Sequence, residues 1–305
     1  DVTEPTKESK KYNPNEPIVI AKDNVTIKAI AMGQDLEDSD VKTFTYSLKK
    51  TTVGFDMNAG WNWISHNLEE DVDVSEFKAV PAVEAILGQR SETIKDPVYG
   101  FFGSLTELKP TEGYKMKLSE TTDKLYLTNR YEFNAAAYNV IVNSGWTWIS
   151  YPLSQQMTVS EALAFCQPAE GDMVVGQEGQ VEFTNGEWKG NLEGMKPGYG
   201  YLYKSAVATA LTFNTNLVSN AVNQIGKRNM LMNSPWACDI HAYPNVMPVT
   251  AVLDSDDADD MMVGAFVGTE CRGIGLLKNG RFSITVHGDK DEKVHFVAYN
   301  KETEE

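Results

Sequence analysis

Apolar residues recur at every second position through much of this chain, the spacing that turns one face of an extended strand toward a core. Trp61, Trp63 and Ser65 alternate with Asn62, Ile64 and His66, so both indoles project from one face. Near the start, Val25, Ile27, Ala29 and Ala31 alternate with Thr26, Lys28 and Ile30. After an acidic loop from Asp35 to Asp40, Phe44, Tyr46 and Leu48 alternate with Thr45 and Ser47. These predict two or three strands, too few to close a domain alone. Toward the end, Val249 to Leu253, Val263 to Val267, Gly273 to Leu277, Arg281 to Val286 and Val294 to Tyr299 read as strands. Turn signals such as Asn279-Gly280 and Gly288-Asp289 separate them, which predicts a β-sandwich. Helix signals are few: Asp73 with Glu76, and Thr158 with Glu161, have the cap-x-x-Glu spacing, and Pro81 and Pro168 are expected to stop the two short helices.

The pattern repeats. Gly60-Trp61-Asn62-Trp63-Ile64-Ser65 returns as Gly145-Trp146-Thr147-Trp148-Ile149-Ser150, an offset of 85 residues. Val74-Ser75-Glu76 returns as Val159-Ser160-Glu161, Gly88-Gln89 as Gly176-Gln177, Gly103-Ser104-Leu105 as Gly190-Asn191-Leu192, Lys109-Pro110 as Lys196-Pro197, and Gly113-Tyr114 as Gly200-Tyr201. Anchors in one order with almost constant offset predict two homologous modules. The expected fold is mostly β: a partial β-sandwich module at 1–50, β-rich repeats with a short helix each at 51–134 and 135–218, and a C-terminal β-sandwich-like module at 219–305.

Composition narrows the function classes. The 305 residues carry 43 acidic and 27 basic side chains, a net charge of −16, so nucleic acid and anionic membrane surfaces are not expected partners. No apolar stretch has the length of a bilayer span. The first residues form neither an initiator Met nor a signal sequence, so the start is read as made by processing or cloning. The unfolded-looking end, Lys301 to Glu305, predicts that the parent protein continues. Cys166, Cys238 and Cys271 leave at least one thiol unpaired, with Cys238 and Cys271 able to pair in an oxidising compartment.

Three segments resemble known modules. Pro17-Ile18-Val19-Ile20, Thr26 to Ala31 and Asp38 to Tyr46 resemble the last strands of the chitobiase/β-hexosaminidase C-terminal-type module, a non-catalytic accessory sandwich of bacterial secreted proteins, here without its opening strand. The paired Gly-Trp-x-Trp-Ile-Ser units are similar to repeats in large surface and secreted proteins of anaerobic gut bacteria. Residues 236–305, with Val263 to Gly268 running into Glu270-Cys271-Arg272-Gly273-Ile274-Gly275, resemble a third module that often follows such repeats. These resemblances imply an extracellular or cell-surface, multi-module, non-catalytic chain.

The candidate chemistry is sparse. His66, His241, His287 and His295 form no His-Glu-x-x-His pair, and no serine sits in a Gly-x-Ser-x-Gly elbow. His287 and His295 sit on strands that follow one another and could meet. A glycosidase needs two acids across a deep cleft, for which modules of about 80 residues have little room. Asp254, Asp256 and Asp257 suggest calcium, but an EF-type register would need Gly and Glu where Asp259 and Ala265 stand, so a solvated acidic loop is favoured. No other cofactor is expected.

Aromatic rings remain. Burying one indole removes about 150 to 250 Å² from water, worth roughly 4 to 6 kcal/mol, so small modules are expected to keep Trp61, Trp63, Trp146 and Trp148 in their cores. Trp188, in the Gly-bounded turn Asn185 to Gly190, is the better binding candidate, with its counterpart Phe101, the adjacent Tyr99, and Trp236. Packing over a module's open end is the competing role for each. The expected function is that of a non-catalytic region of an exported bacterial surface protein, acting in adhesion, in glycan or glycoprotein binding, or as a spacer. The alternative is the accessory C-terminal part of a secreted hydrolase with its catalytic domain upstream.

Overall fold

The computed structural model describes residues 3–14, 16, 18, 20, 23–33, 36–136, 138–215, 234–254, 258–278 and 280–303. Within them the protein is almost entirely β, organised as several small antiparallel sheets with two short helices. The chain divides into two compact units, Asp1–Thr51 and Thr52–Glu305.

In the first unit, β1 (Val25–Ala29) and β2 (Lys42–Tyr46) pair antiparallel, Val25 opposite Tyr46 and Ala29 opposite Lys42. Ser39 ties off the intervening loop by accepting from Ala31 N–H on its hydroxyl and donating its own N–H to Ala31 O. Pro17 and Val19 of the N-terminal run lie outside the described residues.

The second unit contains two five-stranded sheets with the same strand order. The first repeat contributes β3 (Lys50–Phe55), β4 (Gly60–Ile64), β5 (Val72–Asp73), α1 (Ser75–Lys78), β6 (Val83–Leu87), β7 (Glu92–Asp96), β8 (Gly100–Gly103), β9 (Glu107–Leu108), β10 (Tyr114–Leu118) and β11 (Leu125–Tyr131). Its main sheet runs β4-β10-β6-β7-β8, with β3 paired to β11 and β5 to β9. The second repeat contributes β12 (Val140–Val142), β13 (Gly145–Ile149), α2 (Val159–Ala162), β14 (Met173–Val175), β15 (Gln180–Thr184), β16 (Glu187–Gly190), β17 (Tyr201–Ser205) and β18 (Thr209–Leu211). Its sheet runs β13-β17-β14-β15-β16, β12 pairs with β18, and an isolated bridge between Met157 and Met195 stands where β5 and β9 pair.

Alternation explains the two cores. In β10, Tyr114, Met116 and Leu118 turn inward to meet Ile64, Ile86, Leu108 and Phe77. In the second repeat, Tyr201 and Tyr203 meet Ile149, Val174, Leu211 and Phe213. The helices are single turns. Thr158 caps α2 with a reciprocal capping box to Glu161, as the sequence spacing predicts. The expected box at Asp73 does not form: Val74 is the N-cap of α1, and Asp73 instead accepts from Ser75 N–H at 2.7 Å. Pro81 follows Ala79, the C-cap of α1, closely enough to bar its continuation, whereas α2 ends at Ala162, well before Pro168.

The remaining strands, β19 (Asn245–Ala251), β20 (Met261–Val267), β21 (Glu270–Lys278), β22 (Arg281–Gly288) and β23 (His295–Asn300), form one hydrogen-bonded order, β19-β22-β21-β20-β23, around Ala265, Phe282, Ile284 and Val286. The strand positions follow the sequence reading within a few residues. The 218/219 boundary and Asn279 lie outside the described residues. Among the described residues, no helix is long and apolar enough to cross a membrane.

Candidate functional site

The four tryptophans are not in the cores of their own repeats. Ile64 points into the first core, so Trp63, one position earlier, must point out of the opposite face of the sheet. Trp63 is 3% exposed because that outer face meets the outer face of the second repeat, where Val175, Leu202, Trp146 and Trp148 pack against it together with Val246. Trp61, Trp146 and Trp148 are half-buried. The cost of exposing indoles decides their burial, and the joint between repeats is where it is met.

This joint is reciprocal. On one seam, β4 lies along the loop Lys196 to Gly200: Ser65 N–H donates to Gly198 O (3.0 Å), Gly200 N–H to Trp63 O (3.2 Å), and Ser65 Oγ to Tyr199 O (2.6 Å). On the other, β13 lies along Lys109 to Gly113: Ser150 N–H donates to Thr111 O (3.4 Å), Gly113 N–H to Trp148 O (3.3 Å), and Ser150 Oγ to Pro110 O (2.5 Å). Gln177 accepts from Trp63 N–H (3.0 Å) and donates to Trp61 O (2.6 Å). Gln89 accepts from Trp148 N–H (2.9 Å) and donates to Trp146 O (2.7 Å). Tyr114 and Tyr201 each hold their Lys-Pro turn, accepting from Lys109 N–H (2.7 Å) and Lys196 N–H (2.8 Å). Such mutual exchange is what a two-fold relation between like parts produces. Most of the sequence anchors of the duplication (Gly-Trp-x-Trp-Ile-Ser, Gly-Gln, Lys-Pro and Gly-Tyr) are therefore parts of the joint.

At its centre one charge breaks the symmetry. Lys115 is 4% exposed, with its ammonium 4.6 Å from the Trp63 ring centroid and 4.3 Å from that of Trp148, and it donates to Pro244 O at 2.6 Å. Desolvation by burial brings its pKa down to about 8. The corresponding residue of the second repeat is Leu202. Nearby on β22, His287 is 1% exposed. Burial pushes its pKa down to about 4, with His241 and Lys115 acting in the same direction and a hydrogen bond to the Gln177 backbone opposing them.

The second seam opens into a groove of about 640 Å³. Trp148, Leu105 and Ile141 supply apolar surface, and Gln89, Arg90, Ser91, Ser104, Thr106, Glu107, Asn139 and Asn143 supply polar groups. The volume falls in the range of small-ligand sites, and hydroxyls, amides, the charged Arg90, Glu107, Lys109 and Glu112, and one indole share the lining. The same place on the first seam is closed. There Tyr199 stands where the groove has Glu112, and Asp56 where it has Ile141; the Tyr199 hydroxyl donates to Asp56, and Lys196 lies 5.3 Å from the Tyr199 ring while bonding Glu178 at 3.0 Å. Ile141, by contrast, is 64% exposed.

The family described as Fn3 associated matches residues 1–46. No curated protein and no solved structure matches the chain.

The sequence-predicted binding residues do not converge, and none lines the groove. Trp188 packs edge-on between Phe183 (5.4 Å) and Tyr203 (6.3 Å) against the second core. Phe101 packs on the first core with Lys78 and Lys95 over its ring, at 5.4 and 6.0 Å. Tyr99 is 87% exposed at the tip of the same hairpin, beside exposed Val98 and Phe102. Trp236 packs edge-on against Phe266 (5.3 Å) and Tyr299 (5.9 Å), so close to the backbone that a Cβ on Gly264 would sit 2.7 Å from the indole.

His241 and His287 both lie against Gln177, and the other two histidines have separate surroundings. His66 is fully buried; its Nε2 bonds Leu108 O at 2.8 Å and its Nδ1 accepts from Leu68 N–H at 3.3 Å, which keeps the ring neutral. Burial lowers its pKa. The expectation that His287 and His295 could meet fails, because β22 and β23 are separated by β21 and β20, and His295 stacks on Phe266 instead. Asp256 and Asp257 lie outside the described residues. Among the described residues, no three of His, Cys, Asp and Glu gather to hold a metal. The thiols of Cys238 and Cys271 are both free, and their mutual interaction draws Cys271 down to about 7 and pushes Cys238 up.

Proposed function

We propose that this chain is a non-catalytic region of an exported bacterial cell-surface protein, and that the open groove of the second seam binds a glycan, free or carried on a glycoprotein. In this reading residues 51–134 and 135–218 are two copies of one module, and residues 219–305 are a sandwich-like third. The identical strand order of the two sheets supports the duplication. The Fn3 associated match at residues 1–46 and the division at Thr51 support a multi-module organisation.

The observation that carries the binding function is the groove itself, lined by hydroxyls, amides, charged groups and Trp148, opposite an equivalent site that Tyr199 and Asp56 seal. A sugar offers alternating hydroxyls and an apolar ring face, which such a lining matches without any bond being made or broken.

The test transplants the seal. The double variant Glu112→Tyr with Ile141→Asp installs the closed seam's pair in the groove. Screened on a glycan array beside the unaltered chain, it should lose about tenfold or more in affinity for whichever glycan the chain binds. Equal signal from both proteins would remove the groove from the binding function. No signal from the unaltered chain would leave a spacer.

A further inference from the structure

The two seams differ along their outer edges as well. At the first seam, Trp61 N–H donates to His241 O at 2.7 Å, Gln177 Nε2 donates to Ile240 O at 3.0 Å, and His241 Nδ1 lies 2.6 Å from Trp61 O. Ile240 and His241 therefore lie on the edge of β4, held through two successive backbone carbonyls and one imidazole nitrogen. Gly60, at φ +82, makes room for them, since a Cβ there would collide with His241 O.

At the second seam the same parts are present and, among the described residues, unfilled. Gly145 has the same backbone conformation, φ +89, yet among the described residues nothing lies within 4 Å of the position a Cβ would take. Trp148 and Ser150 donate their N–H groups from the outer edge of β13 to Gln89 and Thr111, so the period of two turns Trp146 N–H to that edge as well. Gln89 Nε2 gives one hydrogen to Trp146 O, and its second corresponds to the one Gln177 gives Ile240 O.

We propose that the Gly145-Trp146 edge, together with Gln89, is a peptide-docking site that takes an extended segment of another polypeptide by strand addition. The segment presents two successive carbonyls to Gln89 Nε2 and Trp146 N–H, and a hydrogen-bond donor on the second residue to Trp146 O, the pattern that Asp239-Ile240-His241 supplies at the other seam. An unpaired strand edge is a template for such pairing. The site adjoins the groove of the glycan reading and shares Gln89 with it, but Gly145 and Trp146 lie outside the groove's lining.

The probe is a synthetic peptide of residues 237–244 with Cys238→Ser and a photoreactive leucine in place of Ile240, added to the ¹⁵N-labelled intact chain. Without peptide, the Trp146 amide should exchange with solvent at least about tenfold faster than that of Trp61, and saturating peptide should remove most of the difference. Cross-links should map to β13, and Gln89→Ala should weaken binding about tenfold. A Trp146 amide already protected in the free chain, cross-links confined to Gly60-Trp61, or no binding at about 1 mM peptide would each overturn the proposal. A negative glycan array has no bearing on any of these readouts.

Discussion

The two seams are built from one set of parts and end in different states. Each has a Trp-x-Trp strand, a glutamine that pins it, a Lys-Pro-x-x-Gly loop and a tyrosine behind that loop. One is sealed by Tyr199 against Asp56 and covered by Ile240 and His241; the other presents a groove and an edge that none of the described residues covers in that way. What the copies share is mostly backbone hydrogen bonding and glycine geometry. Where they differ is in side chains that line space. The residues that distinguish the seams, Tyr199 and Asp56 against Glu112 and Ile141, are therefore mostly not the ones that hold the joint, although Gln89 and Trp148 both hold the joint and line the groove.

The largest expected effect comes from the ring that the joint buries most. Trp63→Ala should cost about 3–5 kcal/mol in chemical denaturation, with Trp148→Ala costing about half, because Trp148 keeps part of its surface in the open groove. Equal losses would contradict the difference between the seams. Next is acid. Because the folded pKa of His287 is held at about 4 against 6.5 when unfolded, the unfolded chain takes up a proton that the folded chain refuses across that window. Stability is intact above pH 6.5 and should fall by about 3 kcal/mol on approaching pH 4. His287→Gln should flatten that slope by one proton; a slope unchanged in the variant would mean His287 titrates normally.

Which parts of this were legible beforehand follows from what period two can and cannot say. Alternation correctly put Trp61 and Trp63 on one face, and the recurrence of six segments is consistent with the shared strand order of the two sheets. Period two does not say which face a core covers, and the answer depended on Ile64 and Met116 being inside, which only the pairing of β4 with β10 fixes. Gly-Gln was visible as an anchor, but its role needs a partner in the other repeat. The groove was missed because it arises from Glu112 and Ile141 replacing Tyr199 and Asp56, a contrast that carries meaning only once the loops face the strands. Trp188 drew attention as a turn aromatic and proved to close the end of its own core.

Two smaller effects sharpen the comparison further. A Cβ on Gly200 would sit 2.6 Å from Ile64 O, and one on Gly113 2.7 Å from Ile149 O. Gly200→Ala and Gly113→Ala should therefore lower stability alike, by about 1–3 kcal/mol in thermal melts, whichever seam is altered. If only one variant is affected, the reciprocity of the joint is broken. Last, glutathione disulfide should join Cys238 to Cys271, with a loss of about 2 Da in intact mass and little change in melting temperature, because the two thiols are near enough to shift each other's ionisation. The bond would tether the segment that leads to Ile240 and His241. Mixed glutathione adducts on both thiols, without ring closure, would count against that contact.

Reciprocity also sets a rule for counting. A docking surface that each copy both offers and satisfies is used up by a single mate, so a polypeptide with more of these units would assemble them as couples strung on linkers and not as a continuous stack. An odd member would carry an indole face with no counterpart, and lengthening such a chain favours even numbers.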